Sequence, residues 1–175
     1  MHLTNKEIIA KPIDQVFKLV RDDLAKLVPY MPNINKIDVK SRKENGDVLE
    51  LVNHWFAKAD MPSLLKKFIN PDIFSWKDTA IWRNKDFCVD YKLESFLAND
   101  LFDAHGTNTF KSVGDNKTEL VVSCHITIYP EKVPGVPRLL AKQITPAIES
   151  LLEKILAPNM TSLGKGLNDY FGKNP

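Results

Sequence analysis

Cysteine is scarce in this chain of 175 residues; there are two, Cys88 and Cys124. They stand without a CxxC or a nearby histidine pair, which argues against a disulfide framework and a cysteine zinc site. Histidine is also rare, with four. None falls with Asp or Glu at metal-ligand spacing, so no metal is expected, and no cofactor is implied. No Ser or Cys lies in a nucleophile elbow, and no residue is assigned as catalytic from a motif alone. A glycine-rich phosphate loop is missing. So is a basic stripe, and the formal charge is only +2, so nothing points to nucleic acid or an anionic surface. No apolar run approaches the length of a membrane span, and the opening MHLTNKEIIAKPID is too polar for a secretory signal. A cytoplasmic protein without stable membrane insertion is the expectation. Internal repeats, low-complexity tracts and linkers are lacking too, and the length suits one domain over 1–175.

What is present is ordinary globular composition, 43% hydrophobic and 26% charged, with strong local patterning. From Pro146 the apolar residues Ile148, Leu151, Leu152, Ile155, Leu156, Met160, Leu163, Leu167 and Tyr170 recur at helical spacing. This predicts a helix over 146–170 with Thr145 as its cap, Pro146 at its first position, and a kink rather than a stop at Pro158. Residues 34–129 read mainly as strands. A long amphipathic helix needs an apolar partner, and a curved antiparallel sheet is the one large enough. A sheet wrapped round one helix leaves a hollow suited to small apolar molecules.

Ahead of the strands, residues 3–10 suit a first strand. A helix carrying Val16, Phe17, Leu19 and Val20 starts near Pro12 and Asp14, and a second short one carries Leu24, Leu27 and Val28 until Pro29 and Pro32 end it. In the next strand Ile37, Val39 and Ser41 share one face, Lys36, Asp38, Lys40 and Arg42 the other. Of two turns possible at Glu44-Asn45-Gly46, a three-residue turn is preferred. It sets Val39 opposite Leu51 and Lys40 opposite Glu50, buries Leu49, Leu51 and Trp55, and turns His54 outward. A tight turn at Asn84-Lys85 would pair Trp82 with Phe87, Ala80 with Val89, Asp78 with Tyr91 and Trp76 with Leu93, and would set the apolar residues of both strands on one face. The same alternation turns Ala104, Gly106, Asn108, Phe110, Leu120, Val122, Cys124, Ile126 and Ile128 inward, and His105 and His125 outward.

One segment does not fit a meander. Asp60 can cap a short helix to Ile69 with Met61, Leu64, Leu65 and Phe68 on one face. Near a cavity rim, Leu64, Leu65 and Phe68 would serve as a gate.

The segments EIIAKPIDQVFKLVRD, YMPNINKIDVKSRKENG and AHGTNTF, followed by the terminal helix, resemble the START-like (SRPBCC) superfamily, most of all its polyketide cyclase and coenzyme Q-binding group. The resemblance covers nearly the whole chain and implies an α+β helix-grip fold. That fold is a seven-stranded antiparallel sheet curled round the C-terminal helix, with two short helices after strand 1 and an inner hydrophobic cavity. Superfamily members include lipid carriers, quinone-binding proteins, aromatic cyclases and regulators of other proteins, so fold alone does not choose among them.

The inner face carries few polar groups: Asn53, Asp78, Tyr91, Ser95 and Asn108. Convergent polar groups in an aromatic pocket hold a ligand's carbonyl or hydroxyl, and burial lifts a carboxyl toward neutrality, where it can do acid–base work. The plainer reading is a satisfied structural network. Trp55, Trp76, Asp78, Trp82, Tyr91, Asn108 and Phe110 are therefore the candidate ligand-binding residues, although aromatics also dominate ordinary cores. Three functions fit. The first is binding or transport of a hydrophobic small molecule such as a lipid, quinone or polyketide-like compound. The second is a cyclase or dehydratase using Asp78 and Tyr91. The third is an adaptor for a protein partner.

Overall fold

The computed structural model describes residues 1–58, 75–96, 102–129, 132 and 138–174. Between 138 and 159, side chains are described at Gln143, Pro146, Ser150 and Pro158 alone. The chain runs β1 (His2–Ile9), α1 (Ile13–Asp22), a 3-10 segment (Leu24–Tyr30), β2 (Ile34–Asn45), β3 (Val48–Ala57), β4 (Ser75–Arg83), β5 (Cys88–Ser95), β6 (Phe102–Ser112), β7 (Thr118–Ile128) and α2 (Arg138–Lys173). The strands form one seven-stranded antiparallel sheet in the order β1-β7-β6-β5-β4-β3-β2. The sheet is curved and the helices lie with it in the helix-grip arrangement, as the resemblance implies. No helix among the described residues is long and apolar enough to cross a membrane.

α1 begins where Pro12, whose missing N–H is no loss there, offers its carbonyl to Gln15 and Val16 at 3.1 and 3.2 Å. Asp14 lies in the first turn and Arg21 in the last, each on the side that suits the helix dipole. Val16, Phe17, Leu19 and Val20 are buried, so one stripe faces the sheet. The next helix is 3-10 rather than α, and Pro29 lies inside it rather than ending it. A 3-10 turn is tighter and runs in short pieces, so a proline near its end breaks no long ladder. α2 packs on β1, the 3-10 segment and β7. Gly164 lets it touch β1, since a Cβ there would overlap the Glu7 side chain.

α2 starts eight residues before the expected 146. Thr145 and Pro146 therefore lie inside it, not at its cap. The expected inward contacts of Leu151 and Ile155 lie outside the described residues, while Leu163 and Leu167 are buried. The Asp60–Ile69 segment, with Leu64, Leu65 and Phe68, also lies outside them.

Two expected strand registers are corrected. In β2–β3 the turn is Gly46-Asp47, flanked by the pair Asn45 and Val48, and Val39 lies opposite Asn53. A bulge at Lys40 slips the register, so past it Arg42 and Glu44, rather than Ser41, take the inner phase opposite Leu51 and Leu49. Arg42 uses that position to bond Asp22 at the end of α1 at 2.9 Å, and Glu44 at 2.6 Å. Val39 is 54% exposed because β2 is an edge strand. In β4–β5 the turn takes four residues, Asn84–Phe87, and Trp82 pairs with Val89. Phe87, at φ 48°, leaves the ladder to pack on Phe17. The slip there equals two residues, which keeps every side chain on its face.

Candidate functional site: a cavity on the inner sheet face

The core sits under α1. Phe17 meets Trp82, Phe87 and Phe110 edge to face at 5.2, 5.1 and 5.3 Å. Farther along the same face the side chains part around a cavity of about 180 Å³. Its sheet side includes Trp55, Trp76, Asp78, Trp82, Tyr91 and Asn108; α1, the 3-10 segment with the residue that ends it, and α2 contribute Val20, Leu24, Met31, Met160 and Leu163. Six of the seven residues singled out from the sequence thus surround one space. The seventh, Phe110, is 4% exposed and belongs to the filled core, where it also stacks on Trp82 at 6.2 Å. Sequence reasoning passed over the helix-borne lining residues, Met160 above all; their helical spacing marked them as buried without saying against what.

Asp78 and Tyr91 are not cross-strand partners. The register sets Asp78 between Asn53 and Leu93, and Tyr91 opposite Ala80 and Gly106. Asp78 is 7% exposed. Its Oδ2 accepts from Asn53 Nδ2 at 3.2 Å and from Trp55 Nε1 at 3.3 Å. Burial pushes its pKa up to about 6, and those two donors hold it back from rising further. Asn53 was recognised as inward but not as this carboxylate's partner; its place beside Asp78 in the β3–β4 ladder follows once the register is known.

Tyr91 is anchored differently. Its ring crosses Gly106 on β6, and its hydroxyl donates to the Ser123 carbonyl on β7 at 2.8 Å. A Cβ on Gly106 would stand 2.5 Å from that hydroxyl, so a residue without a side chain is required where tyrosine spans a strand. Burial, and secondarily the Cys124 thiol, raise the Tyr91 pKa well above its usual value, so it is no base at neutral pH. The Cys124 thiol is itself pushed up by burial.

The wall therefore combines a parallel pair of indoles, Trp55 and Trp76, at 5.7 Å and 12°, with one carboxyl, two amides and a phenol. It can enclose a small apolar molecule and hold one polar end. The histidines lie elsewhere: on the outer face His105 stacks on His125 at 5.7 Å, and His2 meets His125 at a tilt at 4.0 Å. Among the described residues no group of three or more His, Cys, Asp or Glu is arranged to hold a metal.

No family profile matches the chain, and no curated protein matches it by sequence. Solved structures do match by shape. A protein of Thermus thermophilus is similar at a TM-score of 0.68 and 18% identity, over 99% of both chains. The Zhui aromatase/cyclase of a Streptomyces species gives 0.67 and 13%, over 100% of this chain and 96% of that one. Norcoclaurine synthase from Thalictrum flavum gives 0.51 and 16%, over 94% and 84%. At these identities the likeness concerns architecture, and the chain shares the helix-grip fold of these structures.

Proposed function

We propose that this protein binds a hydrophobic small molecule in the cavity between sheet and α2, as a carrier or sensor of a lipid-, quinone- or polyketide-like compound. One observation carries this reading. Trp55, Trp76, Asp78, Trp82, Tyr91 and Asn108 converge on an apolar hollow of about 180 Å³. An engineered cavity of about 150 Å³ takes up benzene, so a hollow of this size has room for a small aromatic molecule. All three tryptophans of the chain line it, so intrinsic fluorescence reports occupancy. Native mass spectrometry of protein purified from its own host should reveal a co-purifying apolar molecule, and Nile red should bind with a change in tryptophan emission. An empty protein that also fails to take up Nile red would remove the reading.

A second reading, cyclase or dehydratase chemistry, has one observation in its favour. Asp78 sits near pKa 6, where a carboxylate can both take and return a proton. Tyr91 supports it less, because its proton is committed to a backbone carbonyl. Turnover of an aromatic precursor that vanishes in Asp78→Asn while binding persists would establish this second function.

A further inference from the structure

Three polar atoms of the cavity residues are buried without a hydrogen-bond partner among the described residues: Asp78 Oδ1, Asn108 Oδ1 and Trp82 Nε1. Asp78 is used unevenly, with two donors on Oδ2 and none on Oδ1. A buried acceptor left unpaired costs about 1–3 kcal/mol, and more if charged. Two in one cavity call for something that fills them. The Tyr91 hydroxyl adds a third acceptor, since its hydrogen is spent on Ser123 and its lone pairs are not. Of the cavity's three fully buried unpaired atoms, two are acceptors and one, the Trp82 indole, is a donor. Among the described lining residues Asp78 is the sole charged group, and none is Lys, Arg or His.

We infer, resting on the binding function proposed above, that the ligand is a flat apolar molecule whose polar end is a hydrogen-bond donor, a hydroxyl or an ammonium, directed at Asp78 Oδ1. The parallel indoles of Trp55 and Trp76 suit a planar body. A hydroxyl or ammonium supplies the proton that Oδ1 lacks. A carboxylate, such as that of a fatty acid, would set a second anion beside Asp78 with no cation from the described wall to offset it. A quinone carries acceptors alone and would leave Asp78 Oδ1 unpaired. The broad ligand class is thereby divided by charge and by hydrogen-bonding sense.

Four probes share one aromatic body and differ at one position: naphthalene, 2-naphthol, 2-naphthylmethylamine (an ammonium in neutral water) and 2-naphthoate. Titration calorimetry at neutral pH should show 2-naphthol and the ammonium binding about tenfold or more tightly than naphthalene, the equivalent of one well-placed hydrogen bond. 2-Naphthoate should bind at least about tenfold more weakly than 2-naphthol. The ranking of naphthol against the ammonium then tells which donor the site prefers. Asp78→Asn should abolish the preference for the ammonium and relieve the penalty on naphthoate. Should that variant not fold, the Asp78 carboxyl carbon can be followed by NMR in the wild type. 2-Naphthol should lower its pKa through a donor to the charged form, and naphthalene should raise it. Naphthoate binding as tightly as naphthol, or naphthol no better than naphthalene, would overturn the inference while leaving the binding function standing. Failure of all four probes and of Nile red would remove that function, and the inference with it.

Discussion

Two ends of one sheet face carry the same kind of residue and do different things with it. Near α1, Trp82, Phe87 and Phe110 close on Phe17 edge to face, and Phe17, Trp82 and Phe110 are each 4% exposed. Farther along, Trp55 and Trp76 stack on each other and remain half-buried beside a hollow. The strands do not make the difference, since both ends alternate identically. What differs is the layer above. α1 offers a large aromatic ring to one end, whereas the cavity roof is built from slimmer chains such as Leu24, Met31, Met160 and Leu163. An aromatic stripe on a strand is core or cavity wall according to what lies over it.

The largest expected effect tests that contrast directly. Phe17→Ala should lower the unfolding free energy by about 3–5 kcal/mol, since it removes a fully packed ring from among three others. Trp76→Ala should cost on the order of 1 kcal/mol, because one flank of the indole already faces a hollow and less packing is lost. Nile red affinity should respond in the opposite order, falling more for Trp76→Ala. Urea denaturation and dye titration of both variants supply the comparison. Equal losses of stability would mean that the hollow is as tightly filled as the core.

A second difference between the two ends is charge. The filled end is apolar, while the hollow holds Asp78. Its pKa is about 6 in the fold against an ordinary value of 3.8. The folded state therefore binds the proton more tightly than the unfolded chain. Asp78's contribution is most favourable below about pH 4 and is lost as pH rises through 6. The gap corresponds to about 3 kcal/mol. Asp22, Asp90 and Glu94 act in the opposite sense. Their carboxyls are held low, Asp22 by the Arg21 guanidinium and then Arg42, Glu94 by Lys77, and Asp90 by Thr107 and Arg83 against a larger desolvation. Their stabilisation is lost as pH falls. The informative quantity is thus the difference between wild type and Asp78→Asn. Relative to wild type, the variant should gain about 3 kcal/mol between about pH 3 and pH 8. A flat difference would mean that Asp78 titrates as it does in the unfolded chain.

How far the sequence carried these conclusions depended on which property of a strand was asked for. Which side chains face inward was legible from β3 onward, because alternation has a period of two residues and burial enforces it. Asn53, Asp78, Tyr91 and Asn108 were placed on the inner face for that reason. Which residue lies opposite which was not legible. A slip of two residues preserves every facing, so apolar patterning could not distinguish the Trp82–Phe87 pairing from the Trp82–Val89 pairing that forms. The tie was broken by Phe87 leaving the ladder for Phe17, a tertiary contact that no local pattern encodes. The bulge at Lys40 has the same character, its reward being the reach of Arg42 to Asp22 on another element. The start of α2 was misplaced because Pro146 reads as a first-turn residue, whereas helix already runs from Arg138.

The smallest expected effect concerns Tyr91, the residue that bridges cavity and sheet. Its hydroxyl reaches the Ser123 carbonyl because Gly106 leaves the intervening strand bare. Tyr91→Phe removes one hydrogen bond and keeps the ring, so it should cost about 1 kcal/mol. Gly106→Ala should cost more, about 1–3 kcal/mol, because the new methyl meets both the phenol and the Ser123 backbone, and backbone cannot swing aside. The double variant separates the two contributions. If the alanine acts chiefly by expelling the hydroxyl, Tyr91→Phe should relieve part of its cost, and the two changes together should destabilise by less than their sum. Strict additivity would mean that the clash lies with β7 alone, and that the ring reaches across β6 without depending on the bare glycine beneath it.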